Sequence, residues 1–143
     1  MKKLLIIAGL ITTIIVLIGC AKPVKDVSKL GPEQLVKTYY QSLAVGDITT
    51  ARECLSDEYA KEIGIFEDSD LTNLRSIKDI RVRTGAPVGL YGKNYKEAQV
   101  VAQYEATYRQ MITEADGKQI RFIYVAKKTK NSPWKIISIG TGP

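Results

Sequence analysis

The sequence predicts an α+β fold, with N-terminal helices packed on an antiparallel sheet of about four strands, and three observations predict it. Apolar residues recur at helical spacing through residues 32–63 and change to a period of two from about residue 77 onward. Residues that cap helices stand ahead of the early segments, while Gly, Pro and Asn cluster between the late ones. The length after residue 31 suits one domain with one hydrophobic core and is too short for two.

Pro32 opens the first helix where a missing N–H costs nothing, and Glu33 sits against the positive end of the helix dipole. Leu35, Val36, Tyr39, Tyr40 and Leu43 form one stripe, which must turn to the core. Gly46 ends that helix. Asp47 is placed to cap a second, over residues 48–55, and Ser56 to cap a third, over residues 57–63. The next stretch, GIFEDSDLTNL at 64–74, carries Glu67, Asp68 and Asp70. Clustered carboxylates can hold calcium, but the glycine and closing glutamate of an EF-hand are missing from their set positions, so a solvated loop is expected.

Residues 77–84 read as a first strand, with Ile80 and Val82 on one face. Over 98–108 the alternation is clean. Ala98, Val100, Ala102, Tyr104, Ala106 and Tyr108 share the inward face, and Gln99, Gln103, Glu105 and Thr107 point away. Asp116-Gly117 marks a hairpin turn into residues 120–127, and Asn131-Ser132-Pro133 another turn into a last strand at 134–139. On these last two strands Ile123, Val125, Ile137 and Ile139 are expected on the outer face, beside Arg121, Lys127 and Lys135. A sheet apolar on both faces needs a cover, so those four residues are the expected interface with a second copy or an envelope protein partner.

The chain contains no histidine. That excludes histidine-based triads and histidine-built zinc sites. No cofactor and no metal is expected. Cys54 lies in an apolar helical pattern with Ala51 and Leu55 and reads as a buried, unreactive thiol. Charge is unevenly spread: residues 20–70 hold 6 basic and 10 acidic side chains, and residues 71–143 hold 13 basic and 5 acidic. The second half is electropositive, which suits anionic polymers or phospholipid head groups if the charges are not simply solvating. No nucleic acid is expected as a partner.

The beginning of the chain sets its place. Lys2 and Lys3 precede an apolar run, residues 4–18, with no ionisable side chain, and Gly19 stands before Cys20. At about 15 residues the run is short of the roughly 20 that span a bilayer, which favours cleavage over an uncleaved anchor. Leu17-Ile18-Gly19-Cys20 resembles the lipobox of bacterial lipoproteins. The resemblance implies a signal peptide at 1–19, cleavage before Cys20, and a diacylglycerol on its sulfur. Residues 20–31 would then be a lipidated tether and 32–143 the domain. Two acyl chains hold a protein stably where one does not. The lipid bilayer would be met through Cys20, at the outer face of the cell membrane.

PEQLVKTYYQSLAVGD at 32–47, ITTARECLS at 48–56 and WKIISIGTG at 134–142 resemble the nuclear transport factor two-like, cystatin-like cone fold. Within it the chain is similar to Gram-positive lipoproteins that carry a domain of unknown function. The resemblance implies a curved sheet wrapped on the long helix around a conical cavity. In some relatives that cavity is an active site, built on a buried carboxylate with tyrosine donors or on a His–Asp pair. The pair is impossible here, and the strand faces assigned above leave no acid inside. Tyr39, Tyr104, Tyr108 and Tyr124 could line such a cavity and are expected instead as core residues. The expected function is therefore a non-catalytic binding or scaffold module, not an enzyme. The alternatives are an envelope enzyme using the cavity and a basic adaptor for anionic wall polymer or lipid. A deep polar cavity holding a buried acid would favour the enzyme.

Overall fold

The structure is a computed structural model, and it describes residues 26–65, 69–89 and 94–142. The expected signal peptide, Cys20, and the carboxylates of Glu67 and Asp68 lie outside these residues. No described helix is long and apolar enough to cross a membrane.

After a short 3-10 turn at Val27–Lys29, four helices precede the sheet among the described residues: α1 (Pro32–Ala44), α2 (Ile48–Glu53), α3 (Asp57–Ile63) and α4 (Asp70–Asn73). The capping logic holds. Pro32 is in the first turn of α1, the Asp47 carboxylate accepts from the Thr50 N–H, and the Ser56 hydroxyl accepts from the Tyr59 N–H. Gly46, at φ +73°, provides the left-handed step between α1 and α2. The stripe on α1 is buried as expected: Leu35, Val36, Tyr39 and Tyr40 have no exposed surface.

Four strands, β1 (Leu74–Thr84), β2 (Lys96–Tyr108), β3 (Gly117–Lys127) and β4 (Lys135–Gly140), form one antiparallel sheet in the order β1-β2-β3-β4. The architecture is α+β, as the change of period predicts. Cys54–Ser56, between α2 and α3, is tied to β4: the Ile136 N–H donates to the Cys54 carbonyl at 2.9 Å and the Ser56 N–H to the Ile136 carbonyl at 2.8 Å. Cys54 is buried, and burial raises its thiol pKa to about 12, so it is unreactive as expected.

The inward face of β2 is the expected one, but β3 presents the opposite face from that expected. In an antiparallel ladder, residues directly opposite share a face. Ala98 faces Val125, Val100 faces Ile123 and Ala102 faces Arg121, so the odd-numbered residues of β3 point into the core. Ile123 and Val125 are fully buried there. In β4 a register shift opposite Tyr124 and Val125 makes Ile137 the extra residue, and it brings both Ile136 and Ile139 round to the core side. The four residues expected to form an outer interface therefore do not share a face. Ile123 and Val125 are core, Ile139 packs partly against the core, and only the half-buried Ile137 lies apart. Tyr124 moves the other way. It lies on the far face from the core and accepts a hydrogen bond from Gln99 Nε2 at 2.9 Å.

The register sets a sharp contrast between two isoleucines of β3, Ile123 on the inner face and Ile120 on the outer. Ile123→Ala should cost about 2–5 kcal/mol by opening a core cavity. Ile120→Ala, at a residue 49% exposed, should change stability by less than about 0.5 kcal/mol. Urea unfolding of both variants checks this, and equal losses would contradict the register.

Candidate functional site

Two charged groups are buried against the inward face of the sheet. Arg121 on β3 has a side chain 6% exposed, and Asp70, first residue of α4, one 7% exposed. Neither was expected inside: the arginine read as an outward charge on the third strand, and the aspartate as part of a solvated acidic loop. Their environments explain why they are tolerated. Tyr104 Oη donates to Asp70 Oδ2 at 2.8 Å and Tyr40 Oη donates to the same oxygen at 3.3 Å. Arg121 Nε stands 3.8 Å from that oxygen. A buried carboxylate is stable only when partnered in this way.

Arg121 is itself almost fully engaged. Its Nη1 donates to Gln119 Oε1 and to the Ile120 carbonyl, each at 3.2 Å. Its Nη2 donates to Tyr108 Oη at 3.2 Å and pairs with Glu114 Oε1 at 3.0 Å. The guanidinium is a hub between two acids. The two tyrosines that donate to Asp70 also meet each other, with Tyr40 and Tyr104 centroids 4.7 Å apart, and Tyr39 meets Tyr40 edge-on at 5.0 Å.

The loop that brings Glu114 here is held at both ends. Asn73, buried at the end of α4, donates from Nδ2 to the Gln110 carbonyl at 2.8 Å and accepts from the Gln110 N–H at 3.0 Å. At the other end Asp116 Oδ1 accepts from the Tyr108 N–H at 2.8 Å. The connection between β2 and β3 is thus a wide, pinned loop, with Asp116 at its end and Gly117 opening β3.

Beside this cluster lies a cavity of about 220 Å³ whose lining includes Tyr39, Tyr59, Asp70, Glu114, Arg121 and Ile139. It is smaller than the roughly 300–1,000 Å³ of drug-sized pockets. Tyr59 contributes a hydroxyl that accepts from the Ile139 N–H at 3.0 Å. The Tyr39 hydroxyl is different. It is buried and has no hydrogen-bond partner among the described residues, a costly state for a polar group.

The model of one protein family, described as a domain of unknown function (DUF4829), matches residues 33–140. The chain belongs to that family. Every residue named above for the DUF4829 pocket falls within the matched stretch. No curated protein and no solved structure matches the chain.

Burial sets the protonation behaviour of the DUF4829 pocket. It pushes the Asp70 carboxyl above its ordinary value, against the opposing pull of Arg121 and the two tyrosine hydroxyls. Burial, with Asp70 nearby, also raises the Tyr39 hydroxyl well above its usual range, so it stays neutral and keeps its proton. Tyr59 and Tyr108 are each raised to about 12, chiefly by burial. Of the tyrosines expected as core, Tyr104 and Tyr108 are spent on the charged pair, while Tyr39 lines the cavity. No group of three or more metal-ligating side chains occurs among the described residues.

Because folded Asp70 holds its proton more tightly than the unfolded chain does, ionising it works against the fold. Its favourable contribution is complete below the unfolded carboxylate value of about 4 and is lost as pH rises towards the raised folded value. The stability of the wild type relative to Asp70→Asn should therefore fall from about pH 4 upward and level off once the carboxyl is ionised in both states. Urea unfolding of the two proteins between about pH 3.5 and 8 measures this; a difference that is flat or rises with pH would contradict it.

Proposed function

We propose that this chain is a lipid-anchored extracytoplasmic protein whose domain binds a small polar ligand and does not transform it. The anchor part rests on the N-terminal sequence: a basic start, an apolar run too short to span a bilayer, and Leu17-Ile18-Gly19-Cys20. On this reading Cys20 carries the diacylglycerol, the bilayer is the partner it meets, and the residues just after it hold the domain off the outer face of the membrane; the tether expected over 20–31 is shorter than that, since Val27 is buried in the core and Leu30 packs against it. A nuclear transport factor two-like cone is the finer fold that fits. Helices come first, and register shifts at two points in β1 and one between β3 and β4 are the devices that bend a sheet.

The observation that carries the binding function is Tyr39, which lines the cavity and whose fully buried hydroxyl has no partner among the described residues. A ligand that meets it would remove a standing cost. An enzyme is the second reading, and one observation favours it: a buried acid with tyrosine donors, Asp70 with Tyr40 and Tyr104, beside a polar cavity. Against catalysis, both tyrosine protons are directed at Asp70 rather than at the cavity, and every described interaction of Asp70 falls on Oδ2, beside a guanidinium whose Nη donors are all engaged.

Two measurements test the two parts. Labelled palmitate should enter the wild-type protein and remain with the membrane fraction, and Cys20→Ala should lose both the label and the attachment; an unchanged Cys20→Ala protein would contradict the anchor. In thermal-shift screening of small polar compounds against the full chain, those that stabilise the wild type should stabilise Tyr39→Phe less and be recovered unchanged. Turnover of a bound compound would favour the enzyme.

A further inference from the structure

Resting on the pocket reading above, we propose that the ligand carries a protonated amine, held between Asp70, Glu114 and the Tyr39 oxygen. Charge is the first reason. Of the charged side chains that line the cavity, two are acids, Asp70 and Glu114, and one is a base, Arg121. The cavity is thus acidic inside a chain whose formal net charge is +6, so its local sign opposes that of the protein around it.

The second reason is the state of the one base. Both Nη nitrogens of Arg121 already serve four acceptors, Gln119, the Ile120 carbonyl, Tyr108 and Glu114, and its Nε faces Asp70. A guanidinium has five N–H donors. An incoming anion would find none of the Nη donors free, and would meet two carboxylates.

The third is the unmatched hydroxyl. Tyr39 is buried, lacks a described partner and lines the cavity. Its oxygen can accept from an ammonium N–H. A neutral alcohol would match the hydroxyl and leave the acidic excess uncompensated. The cavity volume of about 220 Å³ limits the ligand to a small amine or to the amine end of a longer molecule.

Three probes of nearly equal shape separate these cases: ethanolamine, ethylene glycol and glycolate. Each is titrated into the full lipoprotein in detergent at neutral pH, with binding followed by NMR chemical shifts. Ethanolamine should move the resonances of Tyr39 and Arg121 and bind at least about tenfold more tightly than ethylene glycol, with no response to glycolate. Tyr39→Phe and Asp70→Asn should each weaken ethanolamine about tenfold. Should Asp70→Asn fail to fold, Glu114→Gln, at the partly exposed rim, removes the second negative charge and should weaken the amine in the same direction. Ethylene glycol or glycolate binding the pocket as tightly as ethanolamine would overturn the amine and leave a binding pocket standing. A pocket unmoved by all three probes would overturn the amine and the binding function together.

Discussion

Arg121 and Asp70 face each other across the interior of a small domain, both almost wholly removed from water. Desolvating two such charges costs several kcal/mol each, and the loss is recovered only through close, well-directed partners. Those partners come from nearly every part of the fold. Tyr40 is supplied by α1, Asp70 by α4, Tyr104 and Tyr108 by β2, Gln119 by β3, and Glu114 by the loop between β2 and β3. The polar cluster therefore fixes how the helices sit on the sheet, in a way that an interior of aliphatic side chains alone would not.

The cavity follows from the same constraint. Where the core is apolar, Leu35, Val36, Val100, Ile123, Val125 and Ile136 fill the space between α1 and the sheet. Around the ion pair, rigid tyrosines and a pinned loop replace adaptable aliphatics. Tyr39 sits at the boundary, with its ring against Tyr40 and its hydroxyl without a described partner. An acidic pocket in a basic protein is the product of one arginine serving two acids.

Much of the fold was legible in the sequence because local physics decides it. Pro32, Asp47 and Ser56 set the helix starts by capping, and the alternation from Ala98 to Tyr108 assigned the inward face of β2 correctly. The site was not legible, and two residues show why. Arg121 lies on a strand with large apolar residues at both parities, Ile120 and Phe122 against Ile123 and Val125, so its face depends on the register. That register is set by a loop pinned through Asn73 and Asp116, which are distant from it in sequence or unremarkable in type. Asp70 was hidden by its acidic neighbours. The run Ser69-Asp70-Leu71-Thr72-Asn73-Leu74 does carry a signal, since Leu71 is buried and Ser69 precedes a helical turn, but composition pointed to solvent. The bulge at Ile137 likewise changes parity within β4 and leaves no mark in hydropathy.

The account stands on the coupling between the buried acid and the buried base, and a double-mutant cycle measures it. Asp70→Asn, Arg121→Met and the double variant are unfolded in urea at neutral pH, and their losses in stability compared. Each single change should be costly, and the double loss should fall short of the sum by about 1–3 kcal/mol, since either change alone strands its partner. Losses that add to within about 0.5 kcal/mol would show the two groups to be independent, and the interior described here would not be organised around them.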